Sequence, residues 1–408
     1  MSVPRRSQTR DLLDAACPAM PFRTPDGRPF AAIPNGPCTF DAVPVYSAAF
    51  RDWMVMRFRS QFPFPPGEYA LKQVCAHFAS DARESYRVHP VHVRAAGGDT
   101  RIVIDRAGSN GQSIDITADG FHLESKENIY FQPSSTQLPL PIPKASVDNP
   151  FDKLQSLLRL SAESLKKCRE WLAAALHPTG PYPILIVDGP SASGKTTLAR
   201  ALRALIDPST APITPHPATE RQVLRHAHRG RMLLYDHVTH LAPRVLDALA
   251  RVSSGASIEL REPGDGGNPI AVSVSNPILL TANENWKPRA DIESRAVRVS
   301  LDAIPESEQR PFDEIRDAFD LLHPALLAAL CADLAGFLKS KSWPLVVRRV
   351  IPRPAVPIAP PQAAPLPASA AVAAHSTRRP RSPVPPIPSP GVHPACVVKL
   401  DEAQRPGT

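Results

Sequence analysis

The sequence has few cysteines, and their spacing excludes two classes of small scaffold. The six cysteines are scattered without a CxxC pair, which argues against a zinc finger and against a disulfide framework. No Ser/His/Asp or Cys/His arrangement stands out, and no carboxylate pair suggests a glycosidase. A chain of this kind is expected in a reducing compartment, and we predict a cytoplasmic protein.

Long apolar runs are lacking as well. The first twenty residues contain early arginines but no apolar segment, so we expect no secretory signal. The most apolar stretch, residues 324–338, is shorter than the ~20 residues that cross a bilayer, and it contains Asp333. The sequence therefore predicts no membrane partner.

Proline and positive charge are plentiful but unevenly distributed. Of 49 prolines, 15 follow residue 350, and the chain from Arg348 onward contributes +6 of the formal net charge of +8. The remaining 347 residues are close to neutral, so their overall charge does not indicate a nucleic-acid binder. The tail, 346–408, is predicted to be disordered and partly polyproline II, and its PxxP-like spacings suit a protein partner with an aromatic groove.

Composition and periodicity divide the 408 residues into two folded parts with flanking and connecting segments. The predicted segments are a flexible lead (1–21), an α+β accessory domain (22–137), a proline-rich linker (138–150), a larger domain with a helical cap (151–345) and the disordered tail (346–408). Within them we predict helices over 46–62, 68–82, 151–176 and 312–338, and strands over 86–94, 101–105 and 113–117. The accessory domain contains no motif that indicates a function.

The chemistry begins after a short buried strand, 184–187. The next residues match GxxxxGK[ST] between a strand and a helix, and the predicted phosphate-binding residues are Gly189, Pro190, Ser191, Ala192, Ser193, Gly194, Lys195, Thr196 and Thr197. Glycines let successive backbone N–H groups face phosphate oxygens, and the helix N-terminus adds its positive dipole. We expect Lys195 to reach the β and γ phosphates and the Thr196 hydroxyl to bind Mg²⁺. The segment predicts an α/β P-loop NTPase fold with ATP and Mg²⁺ as cofactors.

An acid ends the next predicted strand, 231–236. Asp236 is expected to hold the Mg²⁺ shell together with Thr196, although an ordinary aspartate in a turn is the alternative. His237 follows where many ATPases have a glutamate that activates water, so the general base stays unidentified.

A third buried strand, 277–281, is followed by Asn283, which we expect to orient water near the γ phosphate. A turn asparagine is the alternative. Arg295 precedes an alternating strand and could reach the nucleotide of a neighbouring subunit as a positive finger. An intramolecular salt bridge of Arg295 is equally open.

These segments, in this order and spacing, resemble the superfamily 3 helicase-like ATPases of phages and integrated mobile elements, within the AAA+ class. The stretch LARVSSGASIELRE (249–262) looks like the family's link between its Walker B and sensor 1 strands, and NPILLTANENW looks like its sensor 1 strand. The likeness extends over about residues 22–340 and is strongest over 180–301. It is in particular a likeness to bacterial and prophage proteins of the primase-helicase-like or ATP-binding kind. It implies a parallel sheet with flanking helices, with Lys195 in Walker A, Asp236 as Walker B, Asn283 as sensor 1 and Arg295 as the finger.

The resemblance also implies DNA as a partner and a homo-oligomer such as a hexameric ring. Two features depart from it. Asp236 is followed by a histidine, so hydrolysis could be slow or could use Glu284. The predicted hairpin arms, 258–261 and 270–274, enclose an acidic tip at 262–267 instead of a basic one, which weakens the case for translocation.

The sequence thus predicts a Mg²⁺-dependent ATPase of helicase or DNA-remodelling type, acting in replication or mobility of a phage or integrated element. A nucleotide-binding switch with little hydrolysis is the main alternative. A small-molecule kinase is a further one, because GPSASGKTT also resembles uridine-kinase-type loops. His226, His228, His237 and His240 are close in sequence, but a strand separates the pairs and we predict no zinc site there.

Overall fold

In the computed structural model the described residues are 7–36, 39–108, 111–125, 129–260 and 269–342, and a helix lies at their start. This helix, α1, spans Gln8–Ala16, and the Ser7 side chain caps it by accepting from Arg10 N. Leu12, Ala15 and Ala16 are buried. The expectation of a flexible lead over 1–21 is therefore wrong for this stretch, because nine residues with three buried positions are too short for periodicity to reveal. The predicted tail lies outside the described residues.

Three sheets and two further helices follow α1. Their bounds are β1 (Met20–Arg23), β2 (Pro29–Gly36), β3 (Thr39–Pro44), α2 (Ala48–Arg59), α3 (Glu68–Glu84), β4 (Val91–His92), β5 (Ala95–Gly97), β6 (Arg101–Asp105), β7 (Gln112–Thr117), β8 (Gly120–Ser125) and β9 (Tyr130–Phe131). The orders are β1-β2-β3, β4-β9 and β5-β6-β7-β8. Both helices and the strands β6 and β7 occur where the sequence pattern predicts them, whereas the strand expected over 86–94 is reduced to β4.

The second part alternates helices with strands. Its elements are α4 (Pro150–Leu158), α5 (Ala162–Leu176), β10 (Ile184–Gly189), α6 (Lys195–Ile206), α7 (Glu220–Arg229), β11 (Leu233–Val238), α8 (Pro243–Ser254), β12 (Ala256–Leu260), β13 (Ile270–Val274), β14 (Ile278–Asn283), α9 (Ala290–Glu293), β15 (Ala296–Ser300) and α10 (Phe312–Ser340). The single helix predicted over 151–176 is two helices. Arg159 has a left-handed φ of 53°, and Ser161 caps α5 anew.

A parallel four-stranded sheet forms the centre of this part, in the order β11-β14-β10-β15. Helices cover both faces: α7 and α8 pack on one, and α5, α6 and α10 pack on the other. Buried strands between helices are typical of α/β folds, and the prediction of a mixed α/β fold with a parallel sheet is confirmed. The predicted hairpin arms are β12 and β13, which pair antiparallel; the tip at 262–267 lies outside the described residues.

The helix α10 is long and apolar enough to span a membrane, with a mean hydropathy of 1.8 over its most apolar window. It is 29 residues long, and the stretch 324–338 is only part of it. Pro324 lies well inside the helix. Half of the apolar window is buried, and Leu326, Leu330 and Leu334 are fully buried in the core. This packing against α4, α5 and α6 accounts for the apolar composition.

One hydrophobic core joins the two parts of the chain. It combines isoleucines of β6 and β7 with α4, α5, α6 and α10. Arg94, with none of its surface exposed, reinforces this junction: its Nε donates to Asp207 Oδ1 at 3.2 Å and its Nη2 to the Leu138 carbonyl at 2.9 Å. The predicted linker packs against this junction, since Leu140 is buried and its N–H donates to the Arg106 carbonyl at 2.8 Å.

Candidate functional site

The loop between β10 and α6 has a backbone that glycine and small residues permit. Gly189 has a φ of 149° and Gly194 a φ of 83°. A Cβ at position 189 would lie 2.5 Å from the Leu301 carbonyl oxygen, which no side chain tolerates. Ala192 adopts a φ of 60°, a left-handed conformation that costs a residue with a Cβ free energy. Gly194 then caps α6, whose first residue is Lys195.

The Lys195 ammonium is folded into this loop. Its side chain is 8 % exposed, and Nζ donates to the carbonyls of Gly189 at 2.9 Å and of Pro190, and to Ser193 Oγ at 3.3 Å. Burial lowers the pKa of Lys195, while the charges of Asp236, Glu284 and Asp188 oppose the shift. An ammonium on flexible methylenes can leave such carbonyls for stronger anionic acceptors.

Asp236 and Thr196 meet at the carboxyl edge of the sheet. Asp236 is 6 % exposed, and the Thr196 hydroxyl donates to its two carboxylate oxygens at 3.0 Å each. The residues come from β11 and α6, so the fold brings together two positions that are 40 residues apart in sequence. Carboxylate and hydroxyl oxygens are hard ligands of the type that Mg²⁺ prefers.

Thr281 completes this cluster, and the sequence analysis did not find it as a site residue. Its hydroxyl donates to Asp236 Oδ1 and accepts from the His237 backbone N–H at 2.9 Å, and the side chain is 1 % exposed. The register of β11 against β14 shifts between Tyr235 and Val238, as at a β-bulge. The only sign of Thr281 in the sequence is a threonine near the polar end of an apolar strand. Its role becomes visible only when β14 is placed beside β11.

His237 and Asn283 face the same cavity as the loop. The bulge gives His237 a φ of 55° and leaves its side chain 76 % exposed, with Nε2 3.8 Å from Asp236 Oδ2. Asn283 is exposed and lies opposite Gly189 in the register of β14 with β10. Both side chains therefore lie at the edge where the loop begins. Glu284, which follows Asn283, is exposed and does not line the cavity.

The cavity has a volume of about 520 Å³. Its lining combines apolar and polar side chains. The apolar wall comes from α4 and from the chain before and within α10, and it consists of Leu157, Leu158, Ile304 and Ile315. The polar residues beyond the loop come from four segments and are Arg159, His237, Asn283, Glu308, Gln309 and Arg310. Arg159 and Glu308 form an ion pair across the rim. A pocket that combines an apolar wall with convergent polar groups suits a small polar ligand with one flat apolar portion.

Arg295 lies away from this cluster. It precedes Ala296, which pairs with Ile184 at the start of β10, so the length of one strand separates it from the loop, roughly 17 Å. Its Nη1 donates to the Asp291 carbonyl at 2.7 Å and its Nε to Ser254 Oγ at 3.3 Å. Among the described residues no carboxylate lies within salt-bridge distance of Arg295. Arg298 makes such pairs instead, with Asp188 and Glu293.

The structure thus brings together most of the predicted site residues. Gly189, Lys195, Thr196, Asp236 and Asn283 converge at the carboxyl end of the sheet, where open α/β sheets bind their ligands, and Arg295 stays at the opposite edge.

Comparison with known proteins adds a family likeness for the second part of the chain. Residues 151–340 match the family described as actinomycete integrative conjugative element replication protein. No curated protein matches the chain.

Solved structures give distant likenesses only. The apo structure of the NrS-1 C terminal region matches at 11 % identity with a TM-score of 0.43, over 85 % of this chain and 72 % of that one. JCV helicase matches at 14 % identity with a TM-score of 0.24, over 47 % of this chain and 64 % of that one. The family match alone shows that residues 151–340 are similar to replication proteins of integrative conjugative elements.

Proposed function

We propose that this protein is a Mg²⁺-dependent ATPase that acts on nucleic acid in the replication of an integrated mobile element. The observation that supports it best lies at the carboxyl edge of a parallel sheet, where Lys195, Thr196 and Asn283 line one cavity. Asp236 and Thr281 lie behind them, since Thr196 and Thr281 both donate to the Asp236 carboxylate. The similarity of residues 151–340 to element replication proteins supports the biological setting.

Each residue has a role in this proposal. The backbone N–H groups of the loop and the N-terminus of α6 bind phosphate oxygens, and Lys195 exchanges its loop carbonyls for the β and γ phosphates. The apolar wall of Leu157, Ile304 and Ile315 accommodates the base.

The donor set of Thr196 and Asp236 fits Mg²⁺, which keeps several waters and takes few protein oxygens. When bound, the ion would neutralise charge on the phosphates. Thr281 fixes the Asp236 carboxylate by its hydrogen bond, and Asn283 orients the attacking water. His237 or Glu284 is left as the candidate for accepting the proton of that water.

Arg295 has a role only between subunits. Because it lies one strand length from its own chain's loop, it can reach a nucleotide only in a neighbouring copy, and we propose a homo-oligomer in which it acts in trans. A ring in which every subunit supplies one arginine satisfies this geometry.

The test is steady-state ATP hydrolysis with and without single-stranded DNA. We expect Lys195→Ala to lower turnover roughly 10²-fold or more and Arg295→Ala roughly 10³-fold. Mixing the two inactive variants should restore part of the activity, because an intact loop then meets an intact arginine across an interface. Lys339→Ala and Arg316→Ala are the matched controls, since both residues are exposed and lie outside the site. Full activity of Lys195→Ala would refute the proposal.

A nucleotide-binding switch with little hydrolysis is the second candidate, and His237 favours it. This residue follows Asp236 where a carboxylate would accept a proton from water, and it is largely exposed. If His237 limits turnover, His237→Glu should raise hydrolysis while nucleotide affinity stays the same. Tight binding of ATP without turnover in the wild type, in the presence of DNA, would favour the switch.

A further inference from the structure

The helix α7 presents a row of three arginines on one side. Arg221, Arg225 and Arg229 are four residues apart, so they point the same way along the helix, and all three are exposed. We call them the arginine row. At 1.5 Å per residue, successive members lie ~6 Å apart and the row spans ~12 Å.

The described part of the chain offers this row no counter-charge. None of the three arginines makes an ion pair there, and the nearby acids already have partners: Glu220 pairs with Arg251, Asp247 with Arg289, and Asp26 with Arg28. Equal charges at i and i+4 oppose helix formation. Arg221 also lies in the first turn of α7, where the helix dipole disfavours a cation. The arrangement is thus unfavourable for the isolated chain.

A cavity lies near each end of the row, and the one at its start contains a further arginine. A groove of about 740 Å³ between the starts of α7 and α8 is lined by Arg221 and by the exposed Arg244. The residues that follow α7 line a second cavity, of about 490 Å³, whose lining includes Arg28, His92 and His228. The row therefore leads from the groove that Arg221 and Arg244 line toward a cavity in which Arg28 is already paired with Asp26.

The electrostatic environment at the end of α7 shows which side chains carry the positive charge there. Burial lowers the pKa of His228 to about 4, and the charges of Arg28 and Arg229 lower it further while Asp26 opposes them. His228 is therefore neutral at physiological pH, and the positive charge there belongs to arginines.

We propose that the arginine row, with Arg244 beside its start, binds the phosphate backbone of a nucleic-acid strand that runs along α7. One strand of a duplex has one phosphate per ~3.4 Å of helix axis, so a row of three arginines over ~12 Å can contact about three phosphates. No large hydrophobic residue is exposed on α7 or α8, and a protein partner would need such anchors at the centre of its interface. The occupant is therefore a polyanion recognised by charge and spacing. This inference rests on the nucleic-acid partner of the proposed function and is independent of ATP turnover.

The test is binding of labelled oligonucleotides, single-stranded and duplex, as a function of salt and without nucleotide. The variant is the triple substitution Arg221→Gln, Arg225→Gln and Arg229→Gln, placed in the full chain with Lys195→Ala so that hydrolysis plays no part. Loss of three phosphate contacts should reduce the slope of log affinity against log salt by about 2.1 for a single strand and about 2.7 for a duplex. Between ~50 and ~200 mM salt the parent should then lose about 20- to 40-fold more affinity than the variant.

Two control variants separate charge from folding. The triple Arg→Lys variant at the same positions keeps the charges and should keep the parent's salt slope. A matched triple, Arg59→Gln, Lys72→Gln and Lys339→Gln, removes three exposed cations from other helices and should bind like the parent.

The inference is overturned if the Arg→Gln row variant binds like the matched triple, or if the parent binds neither oligonucleotide at low salt. Loss of binding in the Arg→Lys variant would also overturn it. The two oligonucleotides distinguish a single strand from a duplex as the source of the phosphates. Basal ATP hydrolysis without nucleic acid, measured for the three Arg→Gln substitutions in a chain that keeps Lys195, reports separately on the proposed ATPase.

Discussion

The hydroxyl of Thr281 is the part of the cluster whose removal gives the sharpest prediction. Thr281→Val keeps the volume and branching of the side chain but removes its donor and its acceptor. Two hydrogen bonds disappear together: the one to Asp236 Oδ1 and the one from the His237 backbone N–H. Because the site is 1 % exposed, water cannot replace either partner.

The expected loss of stability follows from these two bonds. A hydrogen bond to a charged group contributes about 1.5 to 3 kcal/mol, and an orphaned buried donor costs about 1 to 3 kcal/mol. Allowing for the bond that Thr196 still donates to Asp236, we expect Thr281→Val to lower the free energy of unfolding by about 2 to 4 kcal/mol. Thr281→Ser keeps the hydroxyl and removes one methyl group, so it should cost only about 1 kcal/mol.

Denaturant unfolding of both variants measures the stability, and titration with ATP in the presence and absence of Mg²⁺ measures the site. We expect Thr281→Val to weaken Mg²⁺-dependent nucleotide binding and to lower turnover, because Asp236 loses the group that fixes its carboxylate, while Thr281→Ser stays close to wild type. Equal behaviour of the two variants would refute the role given to the hydroxyl.

Three further predictions concern the loop, the junction of the two parts and the response to acid. Gly189→Ala should abolish nucleotide binding because its Cβ meets the Leu301 carbonyl, whereas Ala192→Gly, at a φ of 60°, should bind nucleotide normally; equal affinities of these two variants would contradict the loop geometry. Arg94→Met should lower the free energy of unfolding by about 3 to 5 kcal/mol, since it leaves Asp207 and two carbonyls without this partner, and thermal melting against Arg59→Met, an exposed site, checks it. Burial lowers the pKa of His323 to about 4, and its Nε2 has no hydrogen-bond partner among the described residues. His323 therefore takes up a proton below pH ~6.5 in the unfolded chain but only below pH ~4 in the folded chain. The free energy of unfolding should fall by up to ~3 kcal/mol as the pH drops from ~6.5 to ~4. The variant His323→Leu should lack this part of the pH dependence.

The sequence predicts those site residues that can be recognised from their neighbours in the chain. The loop from Gly189 to Thr196 combines its glycines, lysine and hydroxyl within eight positions, and the flanking strand and helix follow from periodicity alone. Asp236 and Asn283 were predictable because each ends an apolar strand, and parallel strands bring their carboxyl ends to one edge of a sheet.

Other features of the site and of the fold depend on contacts between segments that are distant in sequence, and the sequence pattern does not reveal them. Thr281 matters because a bulge in β11 turns the His237 N–H toward it, and no pattern in the sequence marks a bulge of this kind. The apolar wall of the cavity joins Leu157 to Ile304 and Ile315, which are about 150 residues away along the chain. Arg94 resembles any surface arginine until Asp207 and the turn after β9 enclose it. The break in the helix predicted over 151–176 comes from one left-handed residue, Arg159, which is not a glycine.

The core shared by α10 and the strands β6 and β7 limits how this protein can be divided. Ile102, Ile104, Ile114 and Ile116 lie in the same buried cluster as the leucines of α10, and the family likeness covers only residues 151–340. Removing the first 150 residues would therefore uncover an apolar side of α10, and α10 also packs on α6, the helix that follows the loop after β10. The part from residue 151 onward, the proposed ATPase, therefore depends on the N-terminal part for cover. A replacement for the N-terminal part has to provide its own apolar sheet against α10.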